Sequence, residues 1–482
     1  METKHYEKWA AQEFGDAKLG DPRRTRRLVA VGAACAAHPA GKVTEVFNEG
    51  AEREGAYRLL ENEHVAAAEI AAAAQRAGAR RTLGQPHVFV PIDGSSLNIV
   101  DTEHQKGLGT VGAFSKGASG LCVMTSILVL TCGTPAGVGG LYFWSREAPV
   151  PRKERNRRKT EDKETHHWLK VMEQVRQTFS KEAPATRPWF QLDAGGDAWP
   201  VLWEAETQGD LLTVRAAHDR RLVGTFEGQQ DYLWSHLERQ APDGFYQLAV
   251  PSGDRRQARM AQMQIQWSPV VLDLVDRRTQ QHRSASVWAV RAVEIETTPA
   301  GEERIEWMLL TRYPVRKLED AQTVLEGYAA RWRIEEFHKA WKSGVCRVEE
   351  TQLRQRSHIE RWATIQASVA MRVVRLTYLA RTRPEAPATM ELTRPEILAT
   401  LLIRNPSGFS LDEIPTIGQV VRWLADLGGY TGKSSGGPAG MIVITRGLLR
   451  IESLAALLSG RPNAFLRLYE AIPILLSDGA DM

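Results

Sequence analysis

Residues 328–342 read YAARWRIEEFHKAWK. On an α-helix, which turns about 100° per residue, Tyr328, Arg331, Glu335, Lys339 and Lys342 fall within an arc of roughly 80°. Ile334, Phe337 and Trp341 gather elsewhere on the wheel as a compact apolar stripe. The pattern therefore predicts a helix, over about 321–345, with one packed face and one polar face. Taken alone, the pattern is better explained by a solvated surface helix with a simple i,i+4 contact from Glu335 to Lys339 than by a functional face, since charge runs are usually solvated. The choice depends on the rest of the chain.

The chain has 482 residues, 43% of them hydrophobic, enough for two to four domains with real cores. Its net formal charge is only +4, so a nucleic-acid role must come from local basic clusters rather than from the overall field. Cys35, Cys122, Cys132 and Cys346 form no CxxC pair and no metal-like spacing. They fit buried thiols in a reducing cytosol better than disulfides or zinc. No signal peptide opens the chain, and the longest apolar run, LCVMTSILVL at 121–130, is far short of the ~20 residues of a membrane helix. It reads as a buried strand.

The first sixty-odd residues read as helical. In LGDPRRTRRLVAVGAACAA (19–37), Asp21 is a plausible N-cap with Pro22 at the first helical position. Arg23, Arg24 and Arg27 follow at a spacing that can line guanidiniums along one side, suited to phosphates or simply solvated. Residues 1–66 hold 10 Lys or Arg and 11 Asp or Glu, so this region is not globally basic. A second basic cluster, RKERNRRK at 152–159, reads as a loop or linker.

Two apolar runs end alike. HVFVPID (87–93) ends in Asp93 before Gly94, and PWFQLDAGGDAW (188–199) carries Asp193 before small residues. An aspartate after a strand is usually a turn former. Two of them with a glutamate on a later helix can instead converge on divalent cations. Residues 211–315 read as β-rich, with Asp273 a rival carboxylate among mid-strand hydrophobics. The segment 440–460 repeats Leu448, Ile451, Leu454 and Leu458 at helical spacing, as a core helix or an association face. GGYTGKSS at 428–435 lacks the first glycine of a phosphate loop, because position 427 is Leu427, and is set aside.

Tyr328, Arg331, Glu335 and Lys342, in the block RWRIEEFHKAWK, resemble the Y-R-E-K signature of bacterial DDE cut-and-paste transposases of the Tn-five type, in the insertion-sequence-four group. LGDPRRTRRL and EGAYRLL are similar to that family's end-binding domain, PIDGSSL to its first catalytic strand, and WMLLTRYPV to the segment before its signature helix. The resemblance implies an α/β fold: an RNase H-like catalytic core at 67–370 with a β-rich insertion at about 211–315. A helical DNA end-binding domain at 1–66 and a helical C-terminal dimerisation domain at 371–482 would flank it. It implies Asp93, Asp193 and Glu335 as both catalytic residues and metal ligands, with two Mg2+ per active site and Mn2+ as a substitute.

It further implies DNA contacts from Tyr328, Arg331, Lys339, Lys342, His338, Trp307, Arg215, Arg23, Arg24, Arg27 and Arg58. Trp307 would receive a flipped base, and stacking on its ring would offset roughly 1–3 kcal/mol of unstacking. The implied reaction nicks a transposon end, forms and reopens a hairpin, and joins the end to target DNA. The implied partners are double-stranded DNA and a second copy of the chain, in a bacterial, nucleoid-associated setting without a membrane. One departure is Ala194, where that family commonly has a basic residue. A nuclease without strand transfer and a catalytically inactive DNA-binding relative are the alternatives.

Overall fold

The computed structural model describes residues 4–103, 105–112, 117–146, 158–250, 257–296, 298–404, 406, 413–432 and 437–460. The basic cluster at 152–159 lies outside these residues except for Arg158 and Lys159, and GGYTGKSS is described only as far as Gly432.

Twelve strands form one continuous sheet. Its first part holds β1 (His87–Asn98), β2 (Gly109–Thr110), β3 (Ser119–Val129), β4 (Pro135–Trp144), β5 (Arg187–Leu192) and β6 (Leu211–Arg215), in the order β4–β3–β1–β5–β6, with β2 beside β3. β1, β5 and β6 are parallel, whereas β3 runs antiparallel to β1 and β4 antiparallel to β3. Alternation along β1 explains why both faces are covered. Val88, Val90 and Ile92 enter one core and Phe89 the opposite one, all nearly inaccessible.

The second part holds β7 (Arg221–Phe226), β8 (Gln229–Tyr232), β9 (Gly244–Val250), β10 (Arg259–Asp276), β11 (Gln281–Glu294) and β12 (Glu306–Thr311). The segment read as an insertion from about 211 is joined to the core by backbone hydrogen bonds rather than set apart. β6 is parallel to β5, and the chain returns through β12, which pairs antiparallel with β6 at Leu309 and Arg215. Asp273 is spent locally, 2.7 Å from His282 Nδ1 across the β10–β11 hairpin and 3.6 Å from Arg221.

Five helices open the chain: α1 (Lys4–Phe14), α2 (Pro22–Ala37), α3 (Val43–Val46), α4 (Gly50–Glu61) and α5 (Ala67–Arg80). As expected, Asp21 caps α2, its carboxylate accepting from the Arg23 amide at 2.8 Å, with Pro22 at the first position. Further on, α6 (Thr165–Glu182) and α7 (Trp199–Gln208) pack on the face of the sheet that carries Ile92, and α8 (Leu233–Glu238) is a single short helix.

The stretch 328–342 is not one uniform helix. α9 (Leu318–Ala330) gives way to a tightened turn, in which the amides of Arg331, Trp332, Ile334 and Glu335 each bond three residues back. Then comes α10 (Arg333–Lys339), and then a wide turn over Ala340–Gly344 in which Val345 N and Cys346 N share the Ala340 carbonyl at 2.9 Å. Each change of pitch rotates the succeeding residues about the helix axis. Ile334, Phe337 and Trp341 are buried as expected.

α11 (Arg356–Thr382) runs for 27 residues between the N-terminal helices and the sheet. It holds the N-terminal region by main-chain carbonyls: Arg361 donates to Leu60 and Val65, Trp362 Nε1 to Gly41 at 2.8 Å, and Gln366 Nε2 to Ala40 at 3.0 Å. Beyond it, α12 (Arg394–Arg404), α13 (Ile417–Leu427) and α14 (Met441–Gly460) form a third core. Leu448 and Ile451 are buried in that core, with Leu454 and Leu458 packed on it. The stripe read as a possible association face is therefore used within the chain. The apolar residues left exposed are others, including Leu398, Leu402 and Ile403 on α12 and Ile442, Leu449 and Leu457 on α14.

Candidate active site

Parallel register brings two aspartates side by side. Ile92 of β1 pairs with Leu192 of β5, and the next residues are Asp93 and Asp193. β5 stops there, and the chain turns away through a short 3-10 turn, Ala194–Gly196, capped by Asp193 Oδ1 accepting from Gly195 N at 2.8 Å. β1 does not stop, contrary to the reading that its run ends at Asp93. It continues to Asn98 against β3, with Asp93 opposite Thr125. The crevice thus opens where parallel neighbours part at their carboxyl ends, a usual place for a site in an α/β sheet.

Glu335 arrives from α10. Arg331 Nη1 lies 3.3 Å from Asp93 Oδ2 and 3.7 Å from Glu335 Oε1, bridging the two carboxylates. The bridge does not neutralise the site. Burial first, then the charges of Asp193 and Glu335, push the Asp93 carboxyl up to about 7, with Arg331 pulling the other way. Like charges are held together here without full compensation.

His338 corrects an expectation. Read as a DNA contact, it is only 6% exposed, and its Nε2 lies 2.7 Å from Thr125 Oγ1, which also donates to the Asp93 carbonyl at 3.3 Å. Burial, and then Lys342 and Arg331, push its pKa down to about 3, so the ring is neutral. Asp93, Glu335 and His338 each offer a ligand atom, and these atoms lie within 4.8 Å of one another. A set dominated by carboxylates and short of positive charge fits a hard divalent cation.

The other signature residues surround this centre. Tyr328 is 7% exposed, less open than its place on the polar arc suggested, and meets Trp307 edge-on at 5.6 Å. Burial raises its pKa, and the nearby charges of Arg331 and Arg215 lower it. Lys342, in the wide turn, donates to Ser95 Oγ at 3.2 Å and lies 3.8 Å from Glu349. Lys339 is exposed and lines a separate cleft with Glu336, Tyr378 and Met441.

The N-terminal arginines sit apart and differ among themselves. Arg23 is exposed beside Asp21, and Arg24 donates to the Leu19 carbonyl at 2.8 Å, so its guanidinium is partly committed. Arg27 is exposed and lies across Gly55 of α4, while Arg58 pairs with Glu54. Sequence reasoning missed Thr125 and Glu349. Thr125 had a signal, since Thr125 and Ser126 are a polar pair inside an otherwise apolar run. Glu349, which accepts from the Asn98 amide at 2.9 Å and faces Lys342, had none.

Two family models match the chain: Transposase DNA-binding over residues 6–65, and Transposase DDE domain over residues 145–372. Between them they take in more than half of it. The first spans the helices up to Val65, and the second includes Asp193 and Glu335. Asp93 precedes the second match, and its link to the other two is the strand register and the charge coupling.

Proposed function

We propose, from the premise that this chain is a DDE transposase with a DNA-binding domain ahead of a metal-dependent DDE domain, that Asp93, Asp193 and Glu335 are its catalytic triad. The observation that carries this is the Ile92–Leu192 register, which sets two aspartates abreast, with Glu335 brought to the same crevice through Arg331. The strand order β4–β3–β1–β5–β6, with one antiparallel neighbour beside three parallel strands, supports an RNase H-like core. The resemblance to the Tn-five type supports a hairpin intermediate and strand transfer.

Asp93, Asp193 and Glu335 would hold two divalent cations, Mg2+ or Mn2+, which when bound supply Lewis-acid activation of the phosphodiester and of its attacking hydroxyl. The protein groups do the rest. The bond between Thr125 and His338 fixes the seat of Asp93. Arg331, freed from the carboxylates, and Lys342 offer positive charge to the phosphates flanking the cut. Tyr328 and Trp307 form an aromatic corner on which a displaced base can stack. Arg23, Arg27 and Arg58 present cations on the DNA-binding domain for the transposon end. The apolar residues exposed on α12 and α14 support association of two copies once DNA is bound.

The test incubates purified protein with Mg2+ and duplexes carrying candidate ends. Nicking, a hairpin product and joining to a plasmid are expected, and Asp93→Ala, Asp193→Ala and Glu335→Ala each abolish all three while retaining end binding. Cleavage without joining would make the chain a nuclease. Cleavage surviving in Glu335→Ala would remove the triad.

A further inference from the structure

A second concave surface is not used by the proposed mechanism. It is a cleft of about 600 Å³ between the segment Arg158–Lys163 and the far end of the β10–β11 hairpin. Arg158, Lys159, Lys163, Arg278 and Arg283 line it together with Trp199. Among the described residues none of these five cations has an ion-pair partner within 4.0 Å. Two of them, Lys159 and Arg278, are exposed. Asp276, on the same wall, is occupied by its own turn, accepting from Arg278 N and Thr279 Oγ1 at 2.9 Å each. Glu161 and Asp162 are the remaining acids of the cleft, so cations outnumber carboxylates. Arg283 is held in place above the rings of Trp199 and Trp203, at 5.3 and 5.0 Å. Unpaired cations on a concave, mostly polar surface fit a polyanion rather than a small apolar ligand.

Both walls are tied to the catalytic turn. Trp199 follows Asp193 by six residues, which span at most about 20 Å. On the other wall, Lys163 lies just ahead of α6, whose Trp168 packs at the same turn: a β-carbon on Gly195 would be 3.6 Å from Trp168 and 3.0 Å from Asp193 Oδ1. B-form DNA rises about 3.4 Å per base pair, so 20 Å corresponds to about six base pairs.

We infer that this cleft is a sequence-independent seat for the phosphate backbone of duplex DNA within about six base pairs of the phosphate being cut or joined. That duplex is either the donor DNA beyond the transposon end or the target DNA that succeeds it, and the backbone chemistry is the same. The inference rests on the proposed triad for its distance from the cut, but the binding itself requires no catalysis.

The experiment compares wild type with Lys159→Ala/Lys163→Ala/Arg278→Ala, in which Lys159 and Arg278 are exposed and Lys163 is half-buried. Binding to a random-sequence duplex in metal-free buffer is titrated against salt. The log–log slope is expected to fall by about two to three, close to one per lost phosphate contact, with affinity down at least about tenfold. With Mg2+, two arms identify the source. If donor flank occupies the cleft, the gain in affinity from lengthening the flank shrinks in the variant. If target DNA does, the target concentration that half-saturates joining of pre-cut ends rises about tenfold. Either result supports the cleft.

An unchanged slope together with both arms unchanged overturns it. A reduced slope in a chain that never cuts DNA would keep the cleft and remove the triad, so the two failures are separable. Should the variant fold poorly, ethylation interference on the wild type replaces it. Blocking phosphates within about six base pairs beyond the cut are expected, and their absence there overturns the proposal.

Discussion

Glu396 and Asp93 are both withdrawn from water, the first completely and the second to 16% side-chain exposure, and their surroundings are opposite. Glu396 on α12 receives Arg372 at 3.0 and 3.2 Å, the Tyr6 hydroxyl at 2.6 Å, and the Thr393 amide and hydroxyl at 2.7 and 2.8 Å. That network joins α1, α11 and α12. Asp93 accepts from one amide, Gly94 N at 2.7 Å, and faces one guanidinium at 3.3 Å and two further carboxylates. A buried charge that serves the fold is given its counter-charge and its donors. The charge at the proposed catalytic site has fewer donors and more like-charged neighbours, a balance that a bound cation would redress.

Four substitutions press on that contrast, in falling order of expected effect. Glu335→Gln keeps the shape of the side chain and removes its charge. It is expected to slow nicking by about 10⁴-fold, about 5 kcal/mol of barrier, while the thermal midpoint in metal-free buffer holds or rises. A fall in the midpoint would mean that Glu335 belongs with Glu396 as a structural charge. Arg372→Met leaves Glu396 buried without its counter-ion and is expected to cost about 3–5 kcal/mol of stability, read by denaturant or thermal melting.

The third test adds the missing charge. A divalent cation at a hundredfold excess over its Kd is expected to stabilise the wild type by about 2.7 kcal/mol and Asp93→Asn far less, measured by melting with and without Mn2+. Equal shifts in both proteins would place the ion elsewhere. Arg331→Ala gives the smallest effect, a loss of about 1 kcal/mol in metal-free buffer, because the like charges then stand unopposed. Divalent cation is expected to restore that loss, since it supplies the same sign of charge in the same place.

The sequence carried the site unevenly. Asp93 and Asp193 were legible because each follows an apolar run and precedes a small residue, but their adjacency depends on a parallel register that no local pattern encodes. The apolar stripe of 328–342 was legible because burial follows helical period. His338 was misread for a geometric reason. On a uniform wheel it falls at about 280°, between the apolar and polar arcs, and the tightened turn before α10 changes which way it points. Leu448 and Ile451 illustrate a different limit, since a stripe at helical spacing does not reveal whether its partner is another helix of the same chain. The β-rich stretch was recognised by composition, yet its first strand belongs to the parallel set beside β5.

The way α11 holds the N-terminal helices bears on how such a protein changes over generations. Arg361, Trp362 and Gln366 grip the carbonyl oxygens of Ala40, Gly41, Leu60 and Val65, and every residue type has a carbonyl. These bonds fix the path of the backbone, while packing separately fixes the residues there: Ala40, Leu60 and Val65 are buried, and a β-carbon on Gly41 would collide with the Arg347 carbonyl. Mutations on the exposed surface of the DNA-binding domain can alter its contacts with DNA without disturbing these bonds. Recognition of DNA and seating of the domain are thereby separable traits, and a lineage can change the first in single steps that leave the second intact.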